Sequence, residues 1–283
     1  DRYGFDPLGY TSSNVSMQEF TTVRLDYDLT DAHRLTVNYK EVDSSKLNGA
    51  NNSSSTMTFS SAEYQKGEVT ETTGMLLVSN WSDDFITEFS YSTKEQLTSQ
   101  MSPVGQGLPF FQINDCGAQG IRCELGPDIF RSANQLATET TFTKLKGTYY
   151  MGNHKFTFGY ENKLWDIYNV FIEAQDGGYE FEGIANYQAQ IASSFEHQNS
   201  RDLTELGGAA VFEYYLDSFY FQDEIDISEK LNVLVGVRYD EFDSDDSPAV
   251  NQGFVDAFGF ANGGIAGTNL INYRLSFDYE INE

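Results

Sequence analysis

The chain has 283 residues, enough for one large domain or two ordinary ones with a sizeable core. Its 43 acidic residues outnumber 17 basic ones and give a formal charge of -26, which excludes the concentrated basic surface that a nucleic-acid partner needs. Such acidity points instead to cations or a saline habitat, and the 15% aromatic content, with 22 Phe and 18 Tyr against two Trp, fits a strand-rich chain.

Taken in chain order, the strands announce themselves by period-two alternation. Val23, Leu25, Tyr27 and Leu29 share one face, opposed by Thr22, Arg24, Asp26 and Asp28. After Thr30-Asp31-Ala32-His33 the pattern resumes with Leu35, Val37 and Tyr39, so the two segments read as a hairpin with a tight turn. A second hairpin runs from the segment ending near Trp81 through Ser82-Asp83-Asp84 into Phe85, Thr87, Phe89 and Tyr91. In the third, Gly152-Asn153 supplies a two-residue turn with glycine where a positive φ is wanted. Pairing Met151 with His154 then sets Tyr149 against Phe156, Gly147 against Phe158, Leu145 against Tyr160 and, on the other face, Lys144 against Glu161. A glycine under a phenylalanine is a way of covering bare backbone in barrels. The fourth hairpin joins Phe219, Phe221 and Ile225 to Leu231, Val233, Val235, Val237 and Tyr239 through residues 226–230. A last strand alternates Ile271, Tyr273, Leu275, Phe277, Tyr279 and Ile281 with Asn272, Arg274, Ser276, Asp278 and Glu280.

Between the hairpins lie long segments, roughly 41–68, 95–138, 169–207 and 243–268, rich in Gly, Ser, Asn, Asp and aromatics. Short connections therefore alternate with long ones, as in an outer-membrane barrel with short periplasmic turns and long extracellular loops, whereas a soluble β-sandwich mixes loop lengths at both ends. The expected fold is all-β, an antiparallel up-and-down outer-membrane β-barrel segment of about nine strands within one domain spanning 1–283. Its apolar face meets lipid and lipopolysaccharide, and the face with Arg24, Lys144, Glu161, Arg238, Arg274 and Asp278 lines a wet lumen. An odd strand number and isolated lumenal charges suit an open piece of a wider barrel better than a small closed one. No apolar run is long enough for a transmembrane helix, the longest aliphatic patch being Met75-Leu76-Leu77-Val78, and Asp1-Arg2-Tyr3-Gly4 does not open like a signal peptide.

Cys116 and Cys123, seven positions apart in a Gly/Pro-rich stretch, are expected to be bridged, because zinc would need two further ligands and neither His154 nor His197 has the spacing. The cluster Asp240, Glu241, Asp243, Asp245 and Asp246 offers hard oxygens, making Asp243, Asp245 and Asp246 candidate ligands for Ca2+ against the alternative of a solvated acidic loop. The long-segment aromatics Phe110, Phe111, Tyr179, Phe181, Tyr187, Phe254, Phe258 and Phe260 are candidate contacts for a small-molecule or peptide ligand, the alternative being self-packing of the loops. His33 and His154 read as solvated turn residues. No nucleophile sits in a strained elbow, and Gly105-Gln106-Gly107 lacks the third glycine of a dinucleotide site, so no enzyme is expected.

Several phrases resemble TonB-dependent receptors, most of all their Oar-like branch: Arg24-Leu25-Asp26-Tyr27-Asp28-Leu29 running on to Val37, Gly152-Asn153-His154-Lys155-Phe156 running on to Glu161, Tyr220-Phe221-Gln222-Asp223-Glu224, Gly236-Val237-Arg238-Tyr239-Asp240, and Tyr273-Arg274-Leu275-Ser276-Phe277-Asp278-Tyr279. In that family the last phrase usually opens with proline, where Tyr273 stands here. The resemblance implies a receptor that binds a scarce nutrient outside and releases it inward when the TonB system acts on a plug. No plug, TonB-contacting box or terminal aromatic is found in this chain, so the resemblance covers barrel wall and loops alone. The competing readings are a passive porin or adhesin barrel and a secreted carbohydrate-binding β-sandwich.

Overall fold

The computed structural model describes residues 4–10, 15–49, 52–117, 120–264 and 266–281. Its strands, in chain order, are β1 (Ser16–Thr30), β2 (His33–Asn48), β3 (Thr56–Thr58), β4 (Tyr64–Ser82), β5 (Phe85–Met101), β6 (Phe110–Asn114), β7 (Arg122–Leu125), β8 (Ala133–Met151), β9 (His154–Ile172), β10 (Gly178–Glu182), β11 (Ser194–Glu196), β12 (Ala209–Ser228), β13 (Leu231–Asp243) and β14 (Thr268–Tyr279). Three short helices, α1 (Gly183–Ala189), α2 (Glu205–Gly208) and α3 (Gln252–Phe258), lie in the long connections.

Nine of these strands form one antiparallel sheet in sequential order, β1-β2-β4-β5-β8-β9-β12-β13-β14. The first and last are not neighbours, so the sheet is open among the described residues. At one end the strands turn back through two residues each, at Asp31-Ala32, Asp83-Asp84, Gly152-Asn153 and Glu229-Lys230. Gly152 adopts φ 62, the left-handed conformation that costs glycine nothing. The other three turns carry no glycine and instead slip register by one residue, between Asp28 and Thr30, Asn80 and Ser82, and Asp226 and Ser228.

The register of the third hairpin is the one that the side chains dictate: Met151 faces His154, Gly147 faces Phe158 and Lys144 faces Glu161. A Cβ on Gly147 would lie 2.6 Å from the Phe158 ring, so only glycine fits beneath it. The polar face repeats the device one strand on, where a Cβ on Gly159 would come 2.5 Å from the Tyr220 hydroxyl.

The strands run further into the long-loop end than the alternation suggests. β2 and β4 remain paired from His33↔Ser79 to Asn48↔Tyr64, and β5 continues to Met101, so the connections shrink to residues 49–63, 102–132, 173–208 and 244–267. Within the first three, the chain builds a second, mixed sheet in the order β11-β10-β6-β7-β3. Phe111, Ile113, Leu125 and Phe181 form its buried core with Cys123. Strands of three to five residues, even where they alternate as Arg122-Cys123-Glu124-Leu125 does, are too short for the pattern to stand out from a loop.

Candidate functional site

The polar face of the large sheet is laced rather than dotted with isolated charges. Lys144 Nζ lies 3.3 Å from Glu161, whose other oxygen is 3.1 Å from Arg238, and Arg238 is 2.8 Å from Asp240. Ser218 donates to Asp240 at 2.6 Å, so one network crosses β8, β9, β12 and β13. Lys146 pairs with Glu88 at 2.9 Å and Lys155 with Glu224 at 3.1 Å on the same face. Lys144 and Arg238 are about a third exposed and the carboxylates of Glu161 and Asp240 lie mostly beneath them, so pairing avoids the cost of unpaired charge in a partly wet space.

Towards the long-loop end this face changes from ionic to aromatic. Trp165 stacks on Tyr214 with ring centroids 4.6 Å apart and planes at 15°, Tyr214 is followed by Phe212 at 6.3 Å, and Lys163 lies 5.5 Å over the Phe142 ring. Period two places Trp165 with Glu161 and Lys163, and Phe212 and Tyr214 with Ser218 and Tyr220. These aromatics therefore stand on the polar side of their strands. That mismatch was the available signal, and reading only the loops for aromatics passes over it. A flat, half-exposed ring platform beside charged groups offers a stacking surface and orienting polar contacts to a ligand.

The candidate loop aromatics divide into two groups. Phe110, Phe111, Tyr179, Phe181 and Tyr187 come together in the small sheet, where Phe111 and Phe181 are each 2% exposed and Phe111 packs against Tyr179, Phe181 and Tyr187 at 5.8 to 6.3 Å. Their burial makes Phe111 and Phe181 core side chains that hold the loops. Phe254, Phe258 and Phe260 form a separate trio around α3, with centroids 4.7 to 6.4 Å apart, and Phe258 and Phe260 remain 63% and 62% exposed. Cys116 and Cys123 are joined by a disulfide, Cα atoms 5.8 Å apart, beside the small core.

The acidic turn after β13 spends its carboxylates on the chain itself. Asp243 accepts from the Ser244 N–H at 2.9 Å and Asp246 from the Glu213 N–H at 2.8 Å. Asp243, Asp245 and Asp246 are not gathered around a common point, and among the described residues no three His, Cys, Asp or Glu side chains are placed to hold a metal ion. His154 also differs from its expected solvated state. It is half-buried, stacks on Phe156 at 5.5 Å and bonds Asp223 at 2.8 Å, because Asp223 lies on the apolar face and needs a partner there. His33 meets the Trp81 ring edge-on at 5.0 Å.

On the apolar side the long-loop end is marked by a row of acids. Glu41, Glu71, Glu95, Glu139, Asp166 and Glu213 stand directly opposite one another across six neighbouring strands. Just below the row, tyrosine hydroxyls donate to carboxylates, Tyr39 to Glu41 at 2.9 Å and Tyr239 to Glu241 at 3.0 Å. An apolar band edged by tyrosines and then acids is the profile of a surface leaving hydrocarbon for water.

A family profile described as an outer membrane beta barrel domain matches residues 6–271. The chain belongs to that family. The protein resides in the bacterial outer membrane, with its two-residue turns periplasmic, its long loops extracellular, its apolar face towards lipid and its ion-paired face towards the lumen. Solved structures of similar fold include the outer membrane transporter YddB from Escherichia coli, at 14% identity and a TM-score of 0.61 over 95% of this chain and 30% of that one. The ferric-catecholate import receptor Fiu from Escherichia coli gives a TM-score of 0.59 at 15% identity in its open form, over 97% of this chain and 46% of that one. The chain thus spans less than half the length of these solved proteins. No curated protein matches it in sequence.

Proposed function

We propose that the chain is one arc of the wall and outer vestibule of a TonB-dependent receptor of the Oar-like branch, which takes up a scarce nutrient actively. The observation that carries this reading is the sequential nine-stranded sheet, open at both edges, with an ion-paired lumenal face below an aromatic vestibule. Nine strands with so wet a face suit part of a wide barrel whose remaining wall and plug complete the lumen. The fold likeness to a transporter and an import receptor supports the same direction of transport. In this reading Trp165, Tyr214 and the exposed Phe258 and Phe260, backed by Phe254, meet the nutrient first, and the plug passes the TonB-transmitted force that releases it inward. Lipid and the lipopolysaccharide of the outer leaflet surround the face bearing Leu25, Val37, Phe158, Val235 and Phe277.

The test compares depletion of a complex growth medium by cells that carry the protein with cells that lack it, each with and without a proton-motive-force uncoupler. Compounds removed only by energised, protein-bearing cells are the expected result. Depletion that ignores the uncoupler makes the barrel a passive porin, and no difference between the two strains removes the transport reading.

A further inference from the structure

β12 outruns its neighbour at the long-loop end. β13 stops at Asp243, opposite Tyr215, whereas β12 stays paired with β9 up to Ala209↔Val170. Residues 209–214 thus have a partner on one side only. The chain beyond β13 satisfies the first step of this edge with side chains, since Asp246 accepts the Glu213 N–H at 2.8 Å and the Ser244 hydroxyl donates to the Glu213 carbonyl. Period two turns the backbone groups of Val211 and Ala209 to the same side as those of Glu213. The Ala209 N–H is taken by Leu206 at the end of α2. The Val211 N–H, the Val211 carbonyl and the Ala209 carbonyl are left with no partner among the described residues, and Ala209 and Val211 line a cavity of about 600 Å3 together with Ser247, Pro248 and Gly263.

Open ladder groups beside a cavity are a template for another strand. The side chains around this edge are sorted by face. Phe212 and Tyr214 point to the lumenal side, whereas Glu213 and Asp243 lie on the outward side with Asp245 close by around Tyr215. The cavity lining holds no Lys or Arg. A strand added here alternates between an aromatic surface and an acidic one.

We propose that this edge of β12 docks an extended peptide segment of alternating basic and apolar residues, held through its main chain by Ala209 and Val211. The apolar side chains lie on Phe212 and Tyr214, and the basic ones reach Glu213, Asp243 and Asp245. The proposal deepens the uptake reading by naming a ligand class, and it rests on that reading only for what happens after binding.

The experiment measures binding of a capped Lys-Val-Lys-Val-Lys-Val peptide to the full-length protein in detergent by calorimetry. Two further peptides carry N-methyl groups on either the lysine or the valine amides, which blocks one edge of the added strand at a time. The expected result is binding of the parent peptide, a loss of about tenfold or more on methylating one set, and little change on methylating the other. Replacing lysine by glutamate is expected to weaken binding by a similar factor. Val211→Pro removes one edge N–H and no bond of the ladder with β9, and is expected to reproduce the methylation loss. No binding of the parent peptide at millimolar concentration, or equal binding of the two methylated peptides, overturns the proposal. Because binding is read without transport, protein that depletes medium in an uncoupler-sensitive way yet ignores these peptides sinks the peptide edge alone. Protein that binds them but shows no energised depletion sinks the uptake reading alone.

Discussion

Residues 33–39 and 41–48 belong to one continuous strand, β2, and obey different rules. In the first stretch Leu35, Val37 and Tyr39 face outward and Arg34, Thr36 and Asn38 face the lumen. In the second, Glu41, Asp43 and Ser45 replace the apolar set on the same outward face. The backbone ladder does not change between them, for β2 pairs with β4 without a break from His33 to Asn48. What changes is the solvent. Hydrocarbon on one side and water on the other enforce alternation, whereas water on both sides leaves main-chain pairing as the only requirement.

The largest effect expected from this contrast comes from placing one arginine in each region. Val37→Arg puts a cation in the lipid band between Leu25 and Met75 and is expected to cost about 2–4 kcal/mol of folding stability in vesicles. Ser45→Arg, on the same face above the acidic row, is expected to change stability by no more than about 0.5 kcal/mol. Denaturant titration of both proteins in the same lipid decides the matter, and equal costs mean that the band has been drawn at the wrong height.

The same contrast explains what was legible in the sequence. Every hairpin of the lower region showed itself, down to the register that sets Gly147 beneath Phe158, because each side chain there answers to one of two unlike solvents. The upper halves of β2, β4 and β5 were hidden because Glu41, Glu71 and Glu95 broke the apolar alternation while the ladder continued. The small sheet escaped because its strands are as short as Thr56–Thr58. Trp165, Tyr214 and Phe212 were legible in principle, as aromatics on a polar parity. The partnership of His154 with Asp223 could not be read, since it joins residues 69 apart across β9 and β12.

The second expected effect separates the small sheet from the large one. Loop-closure entropy for a bridge between residues seven apart is worth about 2.5 kcal/mol. Replacing Cys116 and Cys123 by serine should therefore raise amide exchange in β6 and β7 and leave β4 and β5 protected. Loss of protection throughout both sheets contradicts their independence, and two free thiols in the unreduced native protein remove the bridge itself. A smaller effect tests the lumenal network. Glu161→Gln leaves Lys144 and Arg238 without their shared carboxylate, and because both cations are about a third exposed and reach water this is expected to cost about 1 kcal/mol or less, declining in high salt. A salt-independent loss of several times that size points to a dry, packed interior.

The smallest expected effect has the opposite sign. Glu139 stands between Glu95 on β5 and Asp166 on β9, with Glu71 and Glu213 one strand further out on either side. Like charges directly opposite each other in a ladder repel, and each such pair costs on the order of 0.2–1 kcal/mol. In the lower region the outward face holds few charges, so no comparable strain exists there. Glu139→Gln keeps the side-chain shape and removes one charge from the middle of the row. Its free energy of unfolding in low-salt detergent should therefore rise by about a few tenths of a kcal/mol, and the gain should vanish near 1 M salt, where screening acts over about 3 Å. A destabilised Glu139→Gln protein, or a gain that salt leaves untouched, means that the row is held by something other than tolerance of its own repulsion.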